Sequence, residues 1–187
     1  MSAATPSSLT TIRRAGPGDE KALAEIGLST FVDAFAHLYA PDDLAAFLGD
    51  NHSVQYYQEL LSDPTCAAWM AQARGGEVVG YCTVAPCTLP APDMPARSGE
   101  LCRLYLTGAA QGQGLGKAFM DIAISWLDAR FDHLYVGVYS ENFRAQELYR
   151  RYGFEKVGEY RFMVGNHADL EWIMRRTQKT AEKNPIL

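Results

Sequence analysis

Short runs of apolar and β-branched residues, separated by turn-forming residues, mark seven strands along the chain. The predicted strands are Leu9 to Arg14, Cys66 to Ala73, Val78 to Val84, Gly99 to Thr107, Leu134 to Val138, Phe154 to Gly158 and Leu170 to Arg175. Residues 74–77, Arg-Gly-Gly-Glu, join the second strand to the third with the chemistry of a hairpin turn.

Helical spacing recurs in the segments between these strands. Asp19 is the predicted N-cap of the first helix, and the break at 40–43, Ala-Pro-Asp-Asp, starts the second. Ser53 is the predicted cap of the third, a fourth opens within the glycine-rich segment 111–116, and a fifth spans Asn142 to Tyr152. The residues that mark the first four by their spacing are Leu23, Ile26, Thr30, Ala34; Leu44, Phe47, Leu48; Tyr56, Tyr57, Leu60, Leu61; and Leu115, Phe119, Ile122, Trp126.

The order of these elements predicts the topology. Hairpin strands come first, and strand, helix, strand, helix and strand follow, which implies a parallel crossover in the second half. At 187 residues the chain fits one domain. We therefore expect a single α/β domain with a core at about 9–176, mobile ends, and a mixed, twisted sheet of about seven strands flanked by helices.

Composition narrows the partners and the location. The chain is 48% hydrophobic and 21% charged, with a net charge of −5. This acidic balance argues against nucleic acid as the main partner, because phosphate binding needs a basic face. Met1 to Ser8 is small and polar, unlike a secretory signal, and no apolar run approaches the ~20 residues that a membrane helix needs. We expect a cytoplasmic protein without nucleic-acid or membrane partners.

The four cysteines indicate no metal site. Cys66, Cys82, Cys87 and Cys102 form no Cys-x-x-Cys pair, and no histidine cluster accompanies them. Cys66, Cys82 and Cys102 lie in apolar, strand-like runs, where reduced and buried thiols are expected. We predict that the protein needs no metal.

The glycine-rich segment 111–116, Gln-Gly-Gln-Gly-Leu-Gly, carries the clearest chemical signal. A strand that runs into such a turn and opens a helix binds phosphate, because free main-chain N–H groups and the positive helix end point at the anion. A Walker A loop would need Gly at 111 and Ser or Thr after Lys117, and a dinucleotide fingerprint would need Gly at 117. Both fail on spacing, which leaves Gln-x-x-Gly-x-Gly or a purely structural glycine turn.

This pattern resembles the pyrophosphate loop of the GCN5-related N-acetyltransferase (GNAT) superfamily. Residues 100–106, Glu-Leu-Cys-Arg-Leu-Tyr-Leu, resemble the family's fourth strand, and residues 138–154 match its N..A...Y...GF segment. The matches span Gly99 to Phe154 in the family's order. A weaker resemblance to the PaiA-like branch, associated with spermidine and spermine acetylation, rests on residues 30–35, 41–48, 162–165 and 169–174.

The resemblance implies that acetyl-coenzyme A binds as cosubstrate in a cleft between splayed fourth and fifth strands. Strand residues would offer main-chain groups to the pantetheine arm, and the amides of Gly112 to Lys117 would hold the pyrophosphate. Asn142 would cap its helix, bind the pantetheine, or do both, and Lys117 would face either solvent or the phosphate. The expected cofactor-binding residues are Leu104, Tyr105, Leu106, Gln111, Gly112, Gln113, Gly114, Leu115, Gly116, Lys117, Asn142, Ala145 and Tyr149.

Three groups are expected to carry the chemistry. Tyr149 would protonate the departing thiolate, since a phenol near pKa 10 and a thiol near 8.5 are closely matched; core packing is the alternative. The acceptor amine must lose a proton, because only about one alkylamine in 2,500 is unprotonated at pH 7. Glu100 is the candidate base, unless it is an exposed edge carboxylate, and regular alternation would put Arg103 on the opposite face. The main-chain N–H of Leu106 would polarise the thioester carbonyl.

We expect direct acetyl transfer to a primary amine of a small molecule, with a polyamine as one candidate. The alternatives are a protein or peptide amine acetyltransferase and a non-catalytic coenzyme-A-binding regulator, and a homodimer is one option for the assembly. Acceptor choice is assigned to the front helices and the loop 86–98. Six residues there would form an acidic, aromatic site or simply belong to solvated helix faces: Asp33, His37, Tyr39, Asp42, Asp43 and Glu59.

Overall fold

The computed structural model describes residues 10–177. The strands are β1 (Thr11–Arg14), β2 (Ala67–Gln72), β3 (Val78–Pro86), β4 (Ser98–Leu106), β5 (His133–Tyr139), β6 (Glu155–Val164) and β7 (His167–Thr177). The helices are α1 (Glu20–Phe35), α2 (Pro41–Asn51), α3 (Val54–Ser62), α4 (Leu115–Asp128) and α5 (Phe143–Arg151). The predicted strand start at Leu9 and the predicted mobility of 1–8 and 178–187 lie outside the described residues. Thr177, which was predicted to begin the mobile tail after Arg176, is the last residue of β7.

The strands form one sheet in the order β1-β2-β3-β4-β5-β7-β6. Every neighbouring pair is antiparallel except β4 and β5, which run parallel. The expected mixed sheet of about seven strands is therefore confirmed. The parallel pair lies in the middle of the sheet, with helices on both faces.

Each face of the sheet is covered by its own hydrophobic cluster. On one face, α4 and α5 bury Phe119, Met120 and Tyr149 against the strands. On the other face, α1 and α3 bury Leu23 and Tyr57. Burial of apolar side chains on both faces stabilises the sheet at roughly 25 cal/mol per Å² removed from water.

The helix caps follow two different patterns. Ser53 caps α3 as predicted, because its Oγ accepts from the N–H of Tyr56 at 3.1 Å. Asp19 precedes α1 as predicted, but its carboxylate does not cap that helix within the described chain. It binds the guanidinium of Arg13 at 2.7 Å and the N–H of Gly16 at 2.9 Å, and so fixes the turn that enters α1.

Helix α4 is rotated slightly from the predicted orientation. Its buried stripe includes Leu115 and Phe119 as expected, and it continues through Met120, Ala123, Ile124 and Leu127. Ile122 and Trp126 lie at the edge of the stripe and are only partly buried. The helical spacing allowed both orientations, and the smaller Ala123 permits the closer approach to the sheet.

The last two strands are longer than predicted. Strand β6 extends from Glu155 to Val164, and β7 already begins at His167. Gly165 turns the hairpin with φ = +56°, a conformation that glycine adopts without steric cost. The extended hairpin reaches under α2, where Phe162 meets Phe47 with ring centroids 5.6 Å apart.

Candidate active site

The parallel pairing of β4 with β5 covers three residue pairs, after which the strands separate. Ser98 to Glu100 pair with His133 to Tyr135, while β4 continues along β3 as far as Leu106. Beyond Glu100, the edge of β4 that faces β5 therefore carries main-chain groups that no described strand pairs with, and such groups need a partner. The gap opens into a cavity of about 1110 Å³.

The glycine-rich loop forms one end of this cavity. Gly112 and Gly114 have φ of +78° and +81°, which only glycine adopts readily. A Cβ on either residue would meet nothing within 4 Å among the described atoms, so the space in front of the loop is open. Helix α4 starts directly after Gly114, and no described side chain caps its first turn. Its first N–H groups and its positive end together favour an anion.

Two glutamines brace the loop through their side chains. Gln111 Oε1 accepts from the Arg144 guanidinium at 2.7 Å, which ties the loop to α5. Gln113 Nε2 donates to the carbonyl of Ala109 at 2.8 Å. The glutamine side chains therefore hold the backbone in position, and its N–H groups remain for a ligand.

Lys117 lies at the edge of the cavity in an ion pair. Its Nζ is 2.7 Å from Asp121 Oδ2, and the hydroxyl of Tyr152 donates to Asp121 Oδ1 at 2.6 Å. Tyr152, the residue that follows α5, thus supports α4. The ion pair is exposed, so Lys117 can leave it at small energetic cost.

Helix α5 supplies the wall opposite β4. Asn142 Oδ1 accepts from the N–H of Ala145 at 3.1 Å, so the predicted capping role of Asn142 is confirmed. Ala145 and Tyr149 follow on the cavity side of the helix. Burial raises the pKa of the Tyr149 phenol above its usual value. The phenol therefore stays protonated throughout the physiological range, as a proton donor must.

Most of the residues predicted from sequence line this one cavity. Gln113 and Leu115 are not among its lining residues, because Gln113 bends toward Ala109 and Leu115 packs into the core. The predicted residues that line it are Glu100, Leu104, Tyr105, Leu106, Gln111, Gly112, Gly114, Gly116, Lys117, Asn142, Ala145 and Tyr149.

Glu100 lies where β4 and β5 begin to separate, on the face covered by α1 and α3. It is buried, so the alternative of an exposed edge carboxylate is wrong. Its Oε2 accepts from the N–H of Thr88 at 3.0 Å, which anchors the loop 86–98 to the sheet. Burial raises the pKa of Glu100, and the hydrogen bonds from Thr88 oppose this rise.

A β-bulge in β4 overturns the predicted orientation of Arg103. Thr83 pairs with Arg103 and Val84 with Leu101, so Cys102 is the extra residue on β4. The bulge resets the alternation and turns Arg103 toward α3, where its guanidinium lies 4.5 Å from the centroid of the Tyr56 ring. Arg103 therefore shares a face with Glu100, contrary to the prediction from regular alternation.

Two further carboxylates enter the cavity from β7. Glu171 Oε2 accepts from the hydroxyl of Tyr160 on β6 at 2.7 Å. Burial raises the pKa of Glu171 to about 7; the hydrogen bond from Tyr160 opposes this shift, and the nearby charges of Asp169 and Glu100 add to it. Asp169 is also buried, two residues earlier on the same face of the strand.

The segment between α1 and α2 closes over these carboxylates. The hydroxyl of Tyr39 donates to Asp169 Oδ2 at 2.5 Å. His167 Nε2 lies 3.1 Å from the other oxygen, Oδ1. Near the hairpin turn, Asn166 Nδ2 donates to Asp43 Oδ1 at 3.4 Å. These contacts join the front helices to the β6–β7 hairpin and form a roof over this end of the cavity.

Aromatic rings form the underside of the roof. Phe31 packs on Phe35 and Phe47, with ring centroids 5.2 and 4.8 Å apart, and Phe35 meets Tyr105 of β4 edge-on at 6.3 Å. His52 is buried beside Phe31, and burial lowers its pKa to about 3. It is therefore neutral at physiological pH. The chamber under the roof combines apolar walls with carboxylates.

A model of the acetyltransferase (GNAT) family matches residues 32–154. A protein of Mycobacterium tuberculosis, named as an uncharacterized N-acetyltransferase, is 32% identical over 162 residues, which cover 84% of this chain and 97% of that protein. The chain belongs to the GNAT family. It is accordingly an acyltransferase of the N-acetyltransferase type.

Solved GNAT structures share the fold. PaiA N-acetyltransferase from Thermoplasma acidophilum, in complex with coenzyme A, superimposes with a TM-score of 0.70 at 17% identity over 91% of this chain and 99% of that chain. NAA60 of Arabidopsis thaliana, in complex with a bisubstrate analogue, gives 0.68 at 15% identity over 91% and 100%. Both likenesses concern the fold alone.

The front residues predicted from sequence divide into two groups in this GNAT domain. Asp33 and Tyr39 line the cavity, as the acidic, aromatic interpretation expected. The other four are not among the lining residues, so the solvated or structural interpretation holds for them: His37, Asp42, Asp43 and Glu59.

The sequence prediction missed Asp169 and Glu171. A usable signal was present, because Glu171 alternates with the buried Ile173 on one face of the predicted strand Leu170 to Arg175, and Asp169 comes one residue before that strand with the same alternation. Two carboxylates on a buried strand face indicate a polar chamber or a paired charge. Tyr160 was missed because β6 was predicted to end before it.

Several other expectations concern chemistry away from the cleft. Within residues 10–177, no group of three or more His, Cys, Asp or Glu side chains is placed to hold a metal ion, and no helix in that range is long and apolar enough to cross a bilayer. The four cysteines are free thiols. Cys82 is buried as predicted, whereas Cys66 and Cys102 are only partly buried because they lie at a strand end and at the bulge.

Proposed function

We propose that the protein transfers an acetyl group from acetyl-coenzyme A to a primary amine of a small, cationic molecule. One observation carries this proposal: a single cavity joins an anion-binding helix end to a carboxylate-lined chamber through the gap between β4 and β5. An anionic cosubstrate and a cationic acceptor would thus meet from opposite ends. The reacting atoms would lie in the gap.

The residues present fit acetyl-coenzyme A. The amides of Gly112 to Lys117 would hold the pyrophosphate, where the positive φ of Gly114 and the open space in front of it allow close approach. The unpaired edge of β4 from Leu104 to Leu106 would bind the pantetheine arm as a short extra strand. Ala145 leaves room for that arm, and Asn142 borders it.

Acetyl-coenzyme A supplies the thioester, whose C–S bond breaks as the C–N bond to the amine forms. The main-chain N–H of Leu106 would polarise the carbonyl oxygen. Tyr149 would protonate the departing sulfur. Its raised pKa makes that transfer uphill against a thiol in water, but the same dry surroundings also disfavour the thiolate, so the mismatch within the cleft is smaller.

A carboxylate of the chamber would remove the proton from the acceptor. Glu100 is the candidate from sequence, and Glu171 is a second candidate. Together with Asp169 they outnumber Arg103, the cation on this face of the cavity, and give this end a negative character. This charge favours an acceptor with more than one amine, which keeps a polyamine as a leading candidate. The reaction needs no metal.

The roof favours a small acceptor over a peptide. Tyr39 and Asp169 join the front helices to the hairpin, and Phe47 packs on Phe162 beside them. A protein or peptide amine would need an open groove along this line. The PaiA structure with coenzyme A and the NAA60 structure with a bisubstrate analogue are about equally similar in fold, and they do not separate the two acceptor classes.

The cellular location, the partners and the oligomeric state belong to the same proposal. We place the reaction in the cytoplasm, without nucleic acid or membrane as a partner, and a homodimer remains an option. A coenzyme-A-binding regulator without catalysis is the second candidate function. The buried Tyr149 and the carboxylates at the gap argue for catalysis, because a regulator has no need of them.

Release of free thiol from acetyl-coenzyme A tests the proposal. The pure protein is incubated with spermidine, spermine, monoamines, lysine and peptides with free N-termini. We expect turnover with small amines and little with peptides. Turnover restricted to peptides would favour the protein acetyltransferase, and saturable acetyl-coenzyme A binding without any turnover would favour the regulator.

A further inference from the structure

Glu171 occupies a position that the other carboxylates of the chamber do not share. It lies on β7 opposite Tyr139 of β5. At this point along β5, beyond Tyr135, β4 has already separated from β5. A Cβ built on Gly137 would come within 3.0 Å of Glu171 Oε2 and 3.2 Å of the Tyr160 hydroxyl. The missing side chain at Gly137 therefore makes room for this carboxylate directly above β5, beside the gap.

Only one of the two carboxylate oxygens of Glu171 accepts a hydrogen bond from a described residue. Tyr160 donates to Oε2 at 2.7 Å and fixes the orientation of the carboxylate. Among residues 10–177, Oε1 has no protein hydrogen-bond partner. Glu100, in contrast, accepts the main-chain N–H of Thr88 at 3.0 Å and anchors the loop 86–98. Protonation of Glu100 would weaken this hydrogen bond and disturb the loop. Glu171 can accept a proton without such a change.

We propose that Glu171 is the general base that removes a proton from the acceptor's ammonium group, with Tyr160 and Gly137 positioning its carboxylate. This inference rests on the proposed acetyl transfer and names a catalytic residue for it. A base must lie within hydrogen-bond reach of the attacking nitrogen, and the gap between β4 and β5 is where that nitrogen must approach the thioester.

With Glu171 as the base, every proton that the ammonium group loses has an acceptor. A primary ammonium carries three N–H bonds, and the product amide carries one. Glu171 accepts the first proton and later releases it to solvent. The second leaves the nitrogen as the C–N bond forms, and it replaces the proton that Tyr149 gives to the departing sulfur. One proton is released for each acetyl group transferred.

The electrostatic surroundings suit this role. Burial raises the pKa of Glu171 to about 7. The carboxylate is then largely ionised just above neutrality, where a base of that strength is most effective. The titratable groups that interact with it from the surrounding elements are Tyr160 on β6, Asp169 on β7, Glu100 and Tyr105 on β4, Tyr149 on α5 and Tyr39 of the roof.

The test compares E171Q with wild type over pH 5.5 to 9.5, using the amine with the highest turnover in the panel. Wild-type kcat/KM should rise as Glu171 loses its proton near pH 7 and then level off. The variant should lose this step and instead rise about tenfold per pH unit toward the pKa of the amine. At pH 7.5 its kcat/KM should be about 100-fold below wild type, with unchanged affinity for acetyl-coenzyme A.

Two controls separate a base from a structural role. E159Q removes an exposed carboxylate from the same hairpin and should behave as wild type. A fluorinated analogue of the amine, with a pKa below 7, needs no base, so E171Q should recover most of its activity with it. Equal loss with both amines, or a wild-type pH profile in E171Q, would overturn the role of Glu171 and leave acetyl transfer intact.

A second measurement does not depend on any acceptor. In protein labelled with carbon-13 at the glutamate carboxyl carbon, one signal should titrate near pH 7 and vanish in E171Q. If no glutamate signal titrates between pH 6 and 8, the proposal fails. If wild type acetylates no amine at all, the proposed function fails and the base role fails with it.

Discussion

The end of the cleft beside α4 and the chamber beneath α1 and α2 differ in which atoms they present. Beside α4, the loop offers main-chain N–H groups, held by glycines with positive φ and braced by Gln111 and Gln113. Beneath the roof, the polar atoms belong to side chains from separate strands, above all Glu100 and Glu171. One end depends on backbone shape, and the other depends on which side chains meet.

This difference explains why the cosubstrate can be named and the acceptor only by class. A backbone site needs glycines at fixed spacing, so it leaves a contiguous motif in the sequence. A side-chain site is assembled from residues far apart in the chain, and each can change without disturbing the sheet. A variant that changes only acetyl-coenzyme A binding, or only the use of the acceptor, would support this division between the two ends, and a variant that changes both would contradict it.

The largest effect is expected from Gly114→Glu. The new carboxylate would face the pyrophosphate, and like charges in contact cost about 3 kcal/mol, or roughly a 100-fold loss of affinity. Left-handed backbone at this position adds about 1–2 kcal/mol of strain for a residue with a Cβ. Calorimetry should detect at least this loss in acetyl-coenzyme A binding.

Gly75→Glu is the matched control for this variant. It adds the same side chain at an open hairpin turn, where a Cβ meets no described atom within 4 Å and φ is not positive. Acetyl-coenzyme A should bind this variant as it binds wild type, and circular dichroism should show both variants folded. Unaltered affinity in folded Gly114→Glu would mean that the phosphate site lies elsewhere.

The next effect, on turnover, is expected from Tyr149→Phe. Removal of the hydroxyl deletes the proton donor, and loss of general acid catalysis lowers kcat by about 100-fold or more. The ring keeps its packing against Phe154, so the fold should survive. Stopped assays of thiol release measure kcat, and calorimetry measures binding, which should change by less than about threefold.

Tyr152→Phe distinguishes this effect from a general weakening of α5. It removes a tyrosine hydroxyl from the residue directly after α5, one that binds Asp121 instead of facing the gap. Turnover of this variant should stay near wild type. If both tyrosine variants lose activity equally, the acid assignment is wrong, and α5 acts through the shape of the cleft.

The sequence predicted well those elements that local rules decide. The hairpin turn, the cap at Ser53 and the glycine loop each follow from a few adjacent residues. The bulge at Cys102 could not be predicted, since it depends on the pairing of β4 with β3. Glu171 was missed for a similar reason: its partner Tyr160 comes from a different strand, and its room comes from Gly137.

The smallest effect is expected from Tyr39→Phe, which removes the hydrogen bond between the roof and Asp169. Such a bond contributes about 1–1.5 kcal/mol, so the KM for the acceptor should rise about five- to tenfold. Acetyl-coenzyme A affinity should not change, because the loop beside α4 shares no contact with Tyr39.

His167→Asn is the matched control, since His167 binds the same carboxylate from an exposed position and contributes little. Steady-state kinetics with both substrates varied would measure these constants. A change in acetyl-coenzyme A affinity in Tyr39→Phe would show that the two ends are coupled, and the distinction between a backbone site and a side-chain site would then no longer describe how the cleft works.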